Sequence, residues 1–353
     1  ELTIIMKKYL ILFIFIFGCN SNPKLNKVKI PIGDSEMTMI WIPSGSFMMG
    51  SSDSMAKNDE MPIHKVELDG FWISETAVTN NQFASFVKET NYVTTAEIAP
   101  SLDDIMSQLP KNTPPPPKEL LVPGSLTFIN SDQPAYPTSS IDWWKWSPQI
   151  SWKNPGGKDS SIDGLGNHPV VHVSWYDAKE YSLWLNMELP TEAQWEYAAK
   201  LGGVSNHREI NIWQGIFPIS NNRTDGHLKT NPVKYYKPNN IGLYDMAGNV
   251  WEWVRDWYRP NTYSMKNHRK NPLGPNSSYD PLEPTVPKRV TRGGSFLCND
   301  QYCAGYRPTA RMKTSPDTSL EHTGFRCIMT EQQMKSYLKK NNYSSQAGQR
   351  NSL

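Results

Sequence analysis

The chain has 353 residues, of which 38% are hydrophobic, and carries a formal charge of +2 from 36 basic and 34 acidic side chains. This balance, with no basic stripe interleaved with aromatic residues, argues against nucleic acid as a partner. The length fits one large domain, and the 13 Trp, 16 Tyr and 28 Pro residues predict a large core in a fold rich in turns.

The N-terminus has the pattern of an export signal. Positive charge at Met6-Lys7-Lys8 is followed by an apolar run, Tyr9–Phe17, that is too short to span a bilayer as a mature helix. The run ends at Cys19, which predicts a bacterial lipoprotein signal peptide over residues 1–19 with Cys19 as the lipidated residue; an ordinary signal with unmodified Cys19 is the alternative. We therefore expect a periplasm-facing lipoprotein of the cell envelope, attached to the membrane only through its lipid.

The strands and helices that the sequence predicts are short. Residues 28–32 and 39–43 are expected to form strands on either side of a turn at Gly33-Asp34. His172 is expected in a strand before a helix, as a packed, hydrogen-bonded side chain rather than a ligand. Side chains that cap helix N-termini predict three helices. These signals are Thr79, followed by an apolar face of Phe83, Phe86 and Val87; Ser174 with Asp177; and Thr191 with Gln194.

Residues 99–166 break the periodic patterns. The proline run at 114–117 and frequent Ser, Asp and Gly predict a long loop region with few regular elements. A loop of this length in a compact domain usually serves binding or is disordered. Its tryptophans favour packing against the domain: Trp143, Trp144, Trp146 and Trp152.

Acidic and amide side chains fall in predicted loops between residues 211 and 252. Calcium takes six to eight oxygen ligands, and irregular loops can present carboxylates, amides and backbone carbonyls together. No EF-hand pattern is present, so turn and cap roles are the alternative. The residues concerned are Asn211, Asp225, Asp245, Asn249 and Glu252.

Three of the four cysteines lie between residues 289 and 327. Cys298 and Cys303 are close enough in sequence to meet as a disulfide or as two ligands of one soft metal, and spacing alone leaves both open. The preceding Gly293-Gly294 pair predicts a turn or a close backbone approach. If Cys19 is lipidated, three thiols remain, so one must stay free, pair between chains or bind something.

The phrases around these cysteines resemble a known family. GGSFLCNDQYC, GYRPTAR and TGFRC, in this order, are similar to the C-terminal active-site segment of the formylglycine-generating enzymes, also called sulfatase-modifying factors. Similar phrases cover most of residues 35–330, at Trp41–Ser51, His168–Ala178, Leu189–Ala199, Asn211–Pro218 and Gly242–Trp257.

The resemblance implies both a fold and an activity. The fold is a single, irregular α+β domain of the formylglycine-generating, C-type-lectin-like type, with little regular secondary structure. The activity is a copper-dependent oxidation that converts a cysteine in a Cys-x-Pro-x-Arg motif of an unfolded sulfatase to Cα-formylglycine with molecular oxygen. A monomer is expected. The implied organisation is a linker at residues 20–34, the domain at residues 35–330, and a polar tail at residues 331–353, disordered from residue 339.

The resemblance also implies the site residues. Cys298 and Cys303 would be the Cu(I) ligands, since soft thiolates suit a soft ion and two-coordination leaves room for a sulfur from the substrate. Ser295, Trp251 and Tyr302 would line the catalytic site. A turn hydroxyl is the alternative for Ser295, and core packing is the alternative for Trp251.

Two calcium sites are implied in the same way. The first would use Asn211, the Ile212 carbonyl, Asp225 and the His227 carbonyl. The second would use Asp245, Gly248, Val250 and Glu252. Such ions would hold together a fold that has few strand ladders.

The sequence departs from the animal members of the family at their disulfides. Cys327 matches a bridged position whose partner position here is Ser182, and a second bridge is replaced by Ala198 and Pro308. Cys327 is therefore predicted to be a free, buried thiol. Arg307 is expected to support either the substrate or the structure.

Two other functions compete with the enzyme. One is a non-catalytic lipoprotein of the same fold that acts as a scaffold in a gliding, secretion or envelope complex, which would lack the cysteine pair. The other is an iron-dependent sulfoxide synthase, for which the chain is too short and its seven histidines show no cluster. The presence of both Cys298 and Cys303 favours the enzyme.

Overall fold

A computed structural model describes residues 27–109, 112–129, 143–203, 209–265, 269–300 and 303–350. Its helices are α1 (Asn80–Thr90), α2 (Leu102–Gln108), α3 (Trp175–Trp184), α4 (Glu192–Gly202) and α5 (Glu331–Arg350). Its strands are β1 (Lys27–Ile32), β2 (Ser35–Ile42), β3 (Gly45–Met49), β4 (His64–Leu68), β5 (Phe71–Ser74), β6 (Gly124–Phe128), β7 (Trp144–Pro148), β8 (Gly215–Ile216), β9 (Ser220–Asn221), β10 (Trp251–Trp257), β11 (Arg289–Arg292), β12 (Met312–Thr314), β13 (Thr323–Phe325) and β14 (Ile328–Thr330).

Two small sheets organise the described residues. The first is antiparallel, in the order β1-β2-β5-β14, and the second has the order β12-β11-β10-β13 with β10 and β13 parallel. Helices α1 and α3 pack an aromatic core against the first sheet, in which Phe83 and Tyr181 stack at 5.7 Å. The predicted α+β class with long irregular connections is confirmed.

The domain begins earlier than predicted. Strand β1 pairs with β2 along its whole length, from Lys27 opposite Ile40 to Ile32 opposite Ser35. Its alternate residues Val28, Ile30 and Ile32 are buried, as the two-residue period of a half-buried strand requires. The strand prediction for residues 28–32 is therefore confirmed, and the assignment of residues 27–34 to a linker is wrong.

The domain also ends later than predicted. Helix α5 occupies Glu331–Arg350, where a polar and partly disordered tail was expected. Met334 is buried, and Tyr337 and Leu338 pack against the same core. These three residues have the i, i+3, i+4 spacing of one helix face, so a very short apolar stripe is enough to dock the helix.

The predicted N-caps are confirmed. The Thr79, Ser174 and Thr191 side chains each accept a hydrogen bond from the backbone N–H three residues on, at the start of α1, α3 and α4. In each case the side chain at that third residue bonds back to the cap N–H, which completes a capping box. His172 is buried and lies 2.8 Å from the Ser125 hydroxyl, as expected, but its φ of 59° places it in a bend rather than in a strand.

Residues 99–166 contain more structure than predicted. Besides α2, the segment forms an antiparallel hairpin in which β6 pairs with β7 from Gly124 opposite Pro148 to Phe128 opposite Trp144. The hairpin docks on the C-terminal part of the chain, because Leu126 bridges Leu320. Trp143 and Trp144 lie near the cysteine region, whereas Trp152 packs in the aromatic core with Phe83.

The membrane-related predictions are not tested by this fold. None of the helices within residues 27–350 that the structure describes is both long and apolar enough to cross a bilayer. The predicted signal peptide and Cys19 lie outside the described residues.

Candidate active site

The cysteine loop starts from a tight glycine turn. Strand β11 ends at Arg292, and Gly293 and Gly294 follow with φ of 95° and 74°. A Cβ atom at Gly294 would lie 2.6 Å from the Tyr306 backbone nitrogen, so only glycine allows the two ends of the loop to approach.

The loop brings Cys298 and Cys303 together. Their Cα atoms are 5.4 Å apart, and the structure joins the two sulfurs as a disulfide. The same approach lets two reduced thiolates share one soft ion. The disulfide and a metal-bound pair exclude each other, so metal binding requires prior reduction.

A cavity of about 170 Å³ lies against the two cysteines. Trp251 and Ser295 line it beside Cys298 and Cys303. Ser295 also serves as a turn hydroxyl, because it accepts a hydrogen bond from the Leu297 N–H at 3.3 Å. Trp251 is buried in the cluster that contains both cysteines, so packing and cavity lining coincide in this residue. Tyr302 lies outside the described residues.

Aromatic side chains form part of the cavity lining. This aromatic wall consists of Phe128, Trp143, Trp144 and Phe217, and Phe128 stacks on Phe217 at 5.6 Å. Sequence reasoning marked the tryptophans as packed residues but did not place them at the cysteines, and it missed both phenylalanines. The signal for Phe128 was the density of aromatic residues in the segment 99–166, and the signal for Phe217 was its place in the family-like phrase Asn211–Pro218.

His322 is a polar group in this cavity that sequence reasoning missed. Its ring lies 4.7 Å from that of Trp144, and its Nδ1 is buried with no hydrogen-bond partner among the described residues. Burial lowers the pKa of His322 to about 3, so the imidazole is neutral at physiological pH.

Buried arginines tie the cysteine segment to the rest of the domain. Arg292 donates to Glu192 at 2.9 Å and to Glu196 at 2.6 Å, with all three side chains fully buried. Arg292 also donates to the Pro308 carbonyl at 2.6 Å, which closes the base of the loop. Further along, Arg311 donates to Glu192.

Arg307 belongs to this structural set. It donates to both carboxylate oxygens of Glu60, at 2.6 and 2.9 Å, and Glu60 is fully buried. Of the two expected roles for Arg307, the structure favours support of the fold.

The first candidate calcium site contains an unpartnered carboxylate oxygen. Asp225 Oδ1 accepts from the His227 N–H at 3.0 Å, whereas its Oδ2 is buried and has no hydrogen-bond partner among the described residues. The Asn211 amide nitrogen donates to the Lys229 carbonyl, which leaves the amide oxygen as the atom that a cation would use. Oxygen donors with one buried, unpaired anion fit a hard cation.

The second candidate calcium site is a partial fit. Asp245 Oδ2 is buried without a partner, and burial raises the pKa of Asp245 to about 7. Glu252 is already engaged, because Arg326 donates to both of its oxygens at 2.6 Å and Trp195 donates to Oε2 at 2.7 Å. Glu252 Oε1 also accepts from Arg326, so it has at most one lone pair left for a cation, and the first role of Glu252 here is to pair with Arg326.

The carbonyl positions of the second site lie on a crowded turn. Gly248 has a φ of 79°, and a Cβ atom there would lie 2.3 Å from the Asn211 carbonyl oxygen. Asn249 N–H donates to that same carbonyl at 2.8 Å, so the two candidate sites share one loop junction. No group of three or more His, Cys, Asp or Glu side chains converges within the described ranges, so both sites depend on amide and carbonyl oxygens.

Cys327 is the free, buried thiol that was predicted. Its sulfur lies 3.4 Å from the Ser182 hydroxyl, at the position implied for a lost bridge partner. Burial raises the pKa of Cys327 to about 12, so the thiol stays protonated and unreactive at neutral pH.

Comparison with known proteins identifies the family. Residues 29–331 match the family model of the sulfatase-modifying factor enzyme 1-like domain. The formylglycine-generating enzyme of Streptomyces coelicolor is 42% identical over 301 residues, which is 81% of this chain and 87% of that protein. The formylglycine-generating enzyme of Thermomonospora curvata is 41% identical, over 82% of this chain and 92% of that protein.

More distant likenesses show how far the fold extends. A mouse protein named inactive Cα-formylglycine-generating enzyme 2 is 33% identical over 82% of this chain and 84% of its own length. The solved structure of PvdO from Pseudomonas aeruginosa matches with a TM-score of 0.56 at 21% identity, over 86% of this chain and 98% of PvdO. The PvdO match shows the fold alone.

The arginine network predicts a large stability effect. Arg292→Met should lower the free energy of unfolding by about 3–5 kcal/mol, because it removes from a buried site a cation that pairs with both Glu192 and Glu196. Lys65→Met, at an exposed ion pair with Glu67, should cost less than about 1 kcal/mol. Urea unfolding followed by tryptophan fluorescence measures both, and equal effects of the two substitutions would contradict the assignment.

Proposed function

The chain belongs to the formylglycine-generating enzyme family of sulfatase-maturing oxidoreductases, and from that premise we propose that it oxidises a cysteine of an unfolded sulfatase, within a Cys-x-Pro-x-Arg motif, to Cα-formylglycine with copper and molecular oxygen. The observation that carries the proposal is that Cys298 and Cys303 meet at one wall of a cavity with room for a substrate side chain. Both members of the pair, which a scaffold of this fold would not need, are present.

Cys298 and Cys303 would hold copper as two thiolates once their disulfide is reduced. Two sulfurs suit Cu(I) and leave a coordination position for the sulfur of the substrate cysteine. When bound there, copper would supply the activation of molecular oxygen. Both sulfurs are almost fully buried, so the low-dielectric surroundings favour a charge-compensated thiolate–metal pair over two free thiolates.

The other cavity residues would orient the substrate and exclude water. Trp251 packs over the cysteine loop, since a Cβ atom at Gly305 would lie 2.4 Å from the Trp251 ring and 3.0 Å from the Cys298 sulfur. Phe128, Trp144 and Phe217 line the cavity together with the pair and would limit the access of bulk water to it. Ser295 lines the same cavity and would offer its hydroxyl to the substrate.

The electron balance of the reaction requires a thiol reductant. Conversion of R–CH2–SH and water to R–CHO and hydrogen sulfide releases two electrons and two protons. Reduction of one O2 to two water molecules consumes four of each, so two external thiols supply the other two and become a disulfide. The same reductant would open the Cys298–Cys303 disulfide before the metal binds.

Turnover of a peptide tests the proposed activity. Reduced protein with Cu(I), oxygen, a thiol and a Cys-x-Pro-x-Arg peptide should yield an aldehyde detected by mass spectrometry. Cys298→Ser and Cys303→Ser should each lower the rate at least as much as the roughly 10- to 100-fold loss typical of changes around a metal ligand. Cys327→Ser is the matched control, because this thiol contacts Ser182 away from the cavity, and its rate should be unchanged.

Two results would count against this function. The first is the absence of aldehyde from the wild type under conditions in which the enzyme of Streptomyces coelicolor gives product. The second is equal turnover by the wild type and Cys298→Ser.

We also propose that calcium binds at the two loop sites, supported by the unpartnered buried oxygens of Asp225 and Asp245. A cation there would bind the Oδ2 atom of each carboxylate, which has no hydrogen-bond partner among the described residues. Because an ion that binds only the folded state stabilises it, saturation at about 100 times the dissociation constant adds about 2.7 kcal/mol.

Calcium titration after chelator treatment tests these sites. The wild type should bind two ions per chain by calorimetry and gain in melting temperature, whereas Asp225→Asn and Asp245→Asn should each bind one. Asp103→Asn, at an exposed helix position, is the control and should still bind two. A wild type that binds no calcium and melts at the same temperature with and without it would remove this proposal.

A further inference from the structure

Among the described residues, strand β12 has one unpaired backbone edge beside the cysteine cavity. It pairs with β11 on one side, from Arg289 opposite Thr314 to Thr291 opposite Met312. It is the outermost strand of its sheet, and no other strand pairs with its second edge among the described residues. Outside that ladder, residues 312–314 make no backbone hydrogen bond in the described ranges. Such an edge is a template for another extended chain.

All three residues of β12 line the cavity, although neighbouring side chains of a strand point to opposite faces. Met312 packs against the cluster that contains both cysteines, whereas Lys313 turns away to Asp280, at 2.6 Å, and to the Tyr258 ring. Nevertheless Met312, Lys313 and Thr314 all line the same cavity. Because the side chains of these three residues point to alternate faces, we take the main chain to be the part that all three have in common at the cavity.

The cavity is therefore a slot between a strand edge and an aromatic wall. Phe128 and Trp144, paired at the end of the β6–β7 hairpin, belong to the aromatic wall. Cys298 and Cys303 are 1% and 7% exposed, so a group that reaches their sulfurs has to enter between the two walls. An extended single chain is narrow enough to do this while its main chain stays beside β12, whereas a folded surface is not.

We propose that the substrate segment binds by β-strand addition to the free edge of β12, with its cysteine side chain directed into the slot toward Cys298 and Cys303. This inference rests on the proposed function and specifies the substrate as an extended, unfolded peptide that is recognised partly through its backbone. Side chains of the bound segment that point away from the slot contribute little to binding. Substitutions should therefore be tolerated at every second position of the segment.

Backbone-modified peptides test the proposal without altering the enzyme. A fluorescent peptide with the target cysteine replaced by serine is N-methylated at one non-proline position at a time on each side of that residue. Binding to the full, reduced chain is then measured by anisotropy. Since a strand donates from every second residue, N-methylation should weaken binding about two- to tenfold at alternate positions on one side of the target residue and leave the intervening positions unchanged.

An ester series separates hydrogen bonding from bulk. Replacing the same amides by esters removes each donor without adding a methyl group, so it should reproduce the alternation. If both series lose affinity at every position, or at none, the inference is overturned. Failure of the unmodified peptide to bind would contradict it as well.

The outcomes distinguish this inference from the proposed reaction. If the peptides bind with the alternating pattern but the cysteine peptide is not oxidised, strand addition stands and the oxidase proposal fails. If the cysteine peptide is oxidised and binding shows no alternation, the oxidase proposal stands and strand addition is wrong.

Discussion

The structure depends on buried ion pairs between arginines of the C-terminal segment and carboxylates of distant elements. The cysteine loop has almost no regular structure of its own, so a hydrogen-bonded ladder cannot hold it. Arg292 instead clamps the base of the loop, with Glu192 and Glu196 on one side and the Pro308 carbonyl on the other. Burying such charges is costly unless each is paired with an opposite charge, and that requirement allows few alternative positions for the loop.

The network also accounts for how the domain tolerates the loss of bridges implied in its animal relatives. Ser182 contacts Cys327 where a disulfide would stand, and the buried thiol remains protonated. Arg326, the residue before it, is fully buried and bonds both oxygens of Glu252. The strand that carries Trp251 is thus fixed to the C-terminal segment by charge pairing and by the parallel β10–β13 ladder rather than by a covalent link.

Local signals were enough to predict parts of this molecule, and long-range contacts decide the rest. Thr79, Ser174 and Thr191 mark helix starts because a cap needs only residues a few positions away. The hairpin of Trp144 was missed because prolines and polar residues around it hide a short alternation, and because its contact with Leu320 lies far along the chain. The cysteine pair was singled out by the family resemblance of the phrases around it, because its spacing alone left a disulfide and a metal site open. Phe128, Phe217 and His322 converge on it from three distant segments, which no single-sequence pattern encodes. Helix α5 was missed because three apolar residues look negligible until a core exists to receive them.

The central claim is that Cys298 and Cys303 form a two-sulfur Cu(I) site that a substrate cysteine can complete. Copper X-ray absorption on the reduced, Cu(I)-loaded protein tests it most directly, because the spectrum counts sulfur neighbours without requiring turnover. The account predicts two sulfur ligands for the protein alone and a third when a cysteine peptide is added. A first shell of nitrogen or oxygen only, or a spectrum unchanged in Cys303→Ser, would contradict it.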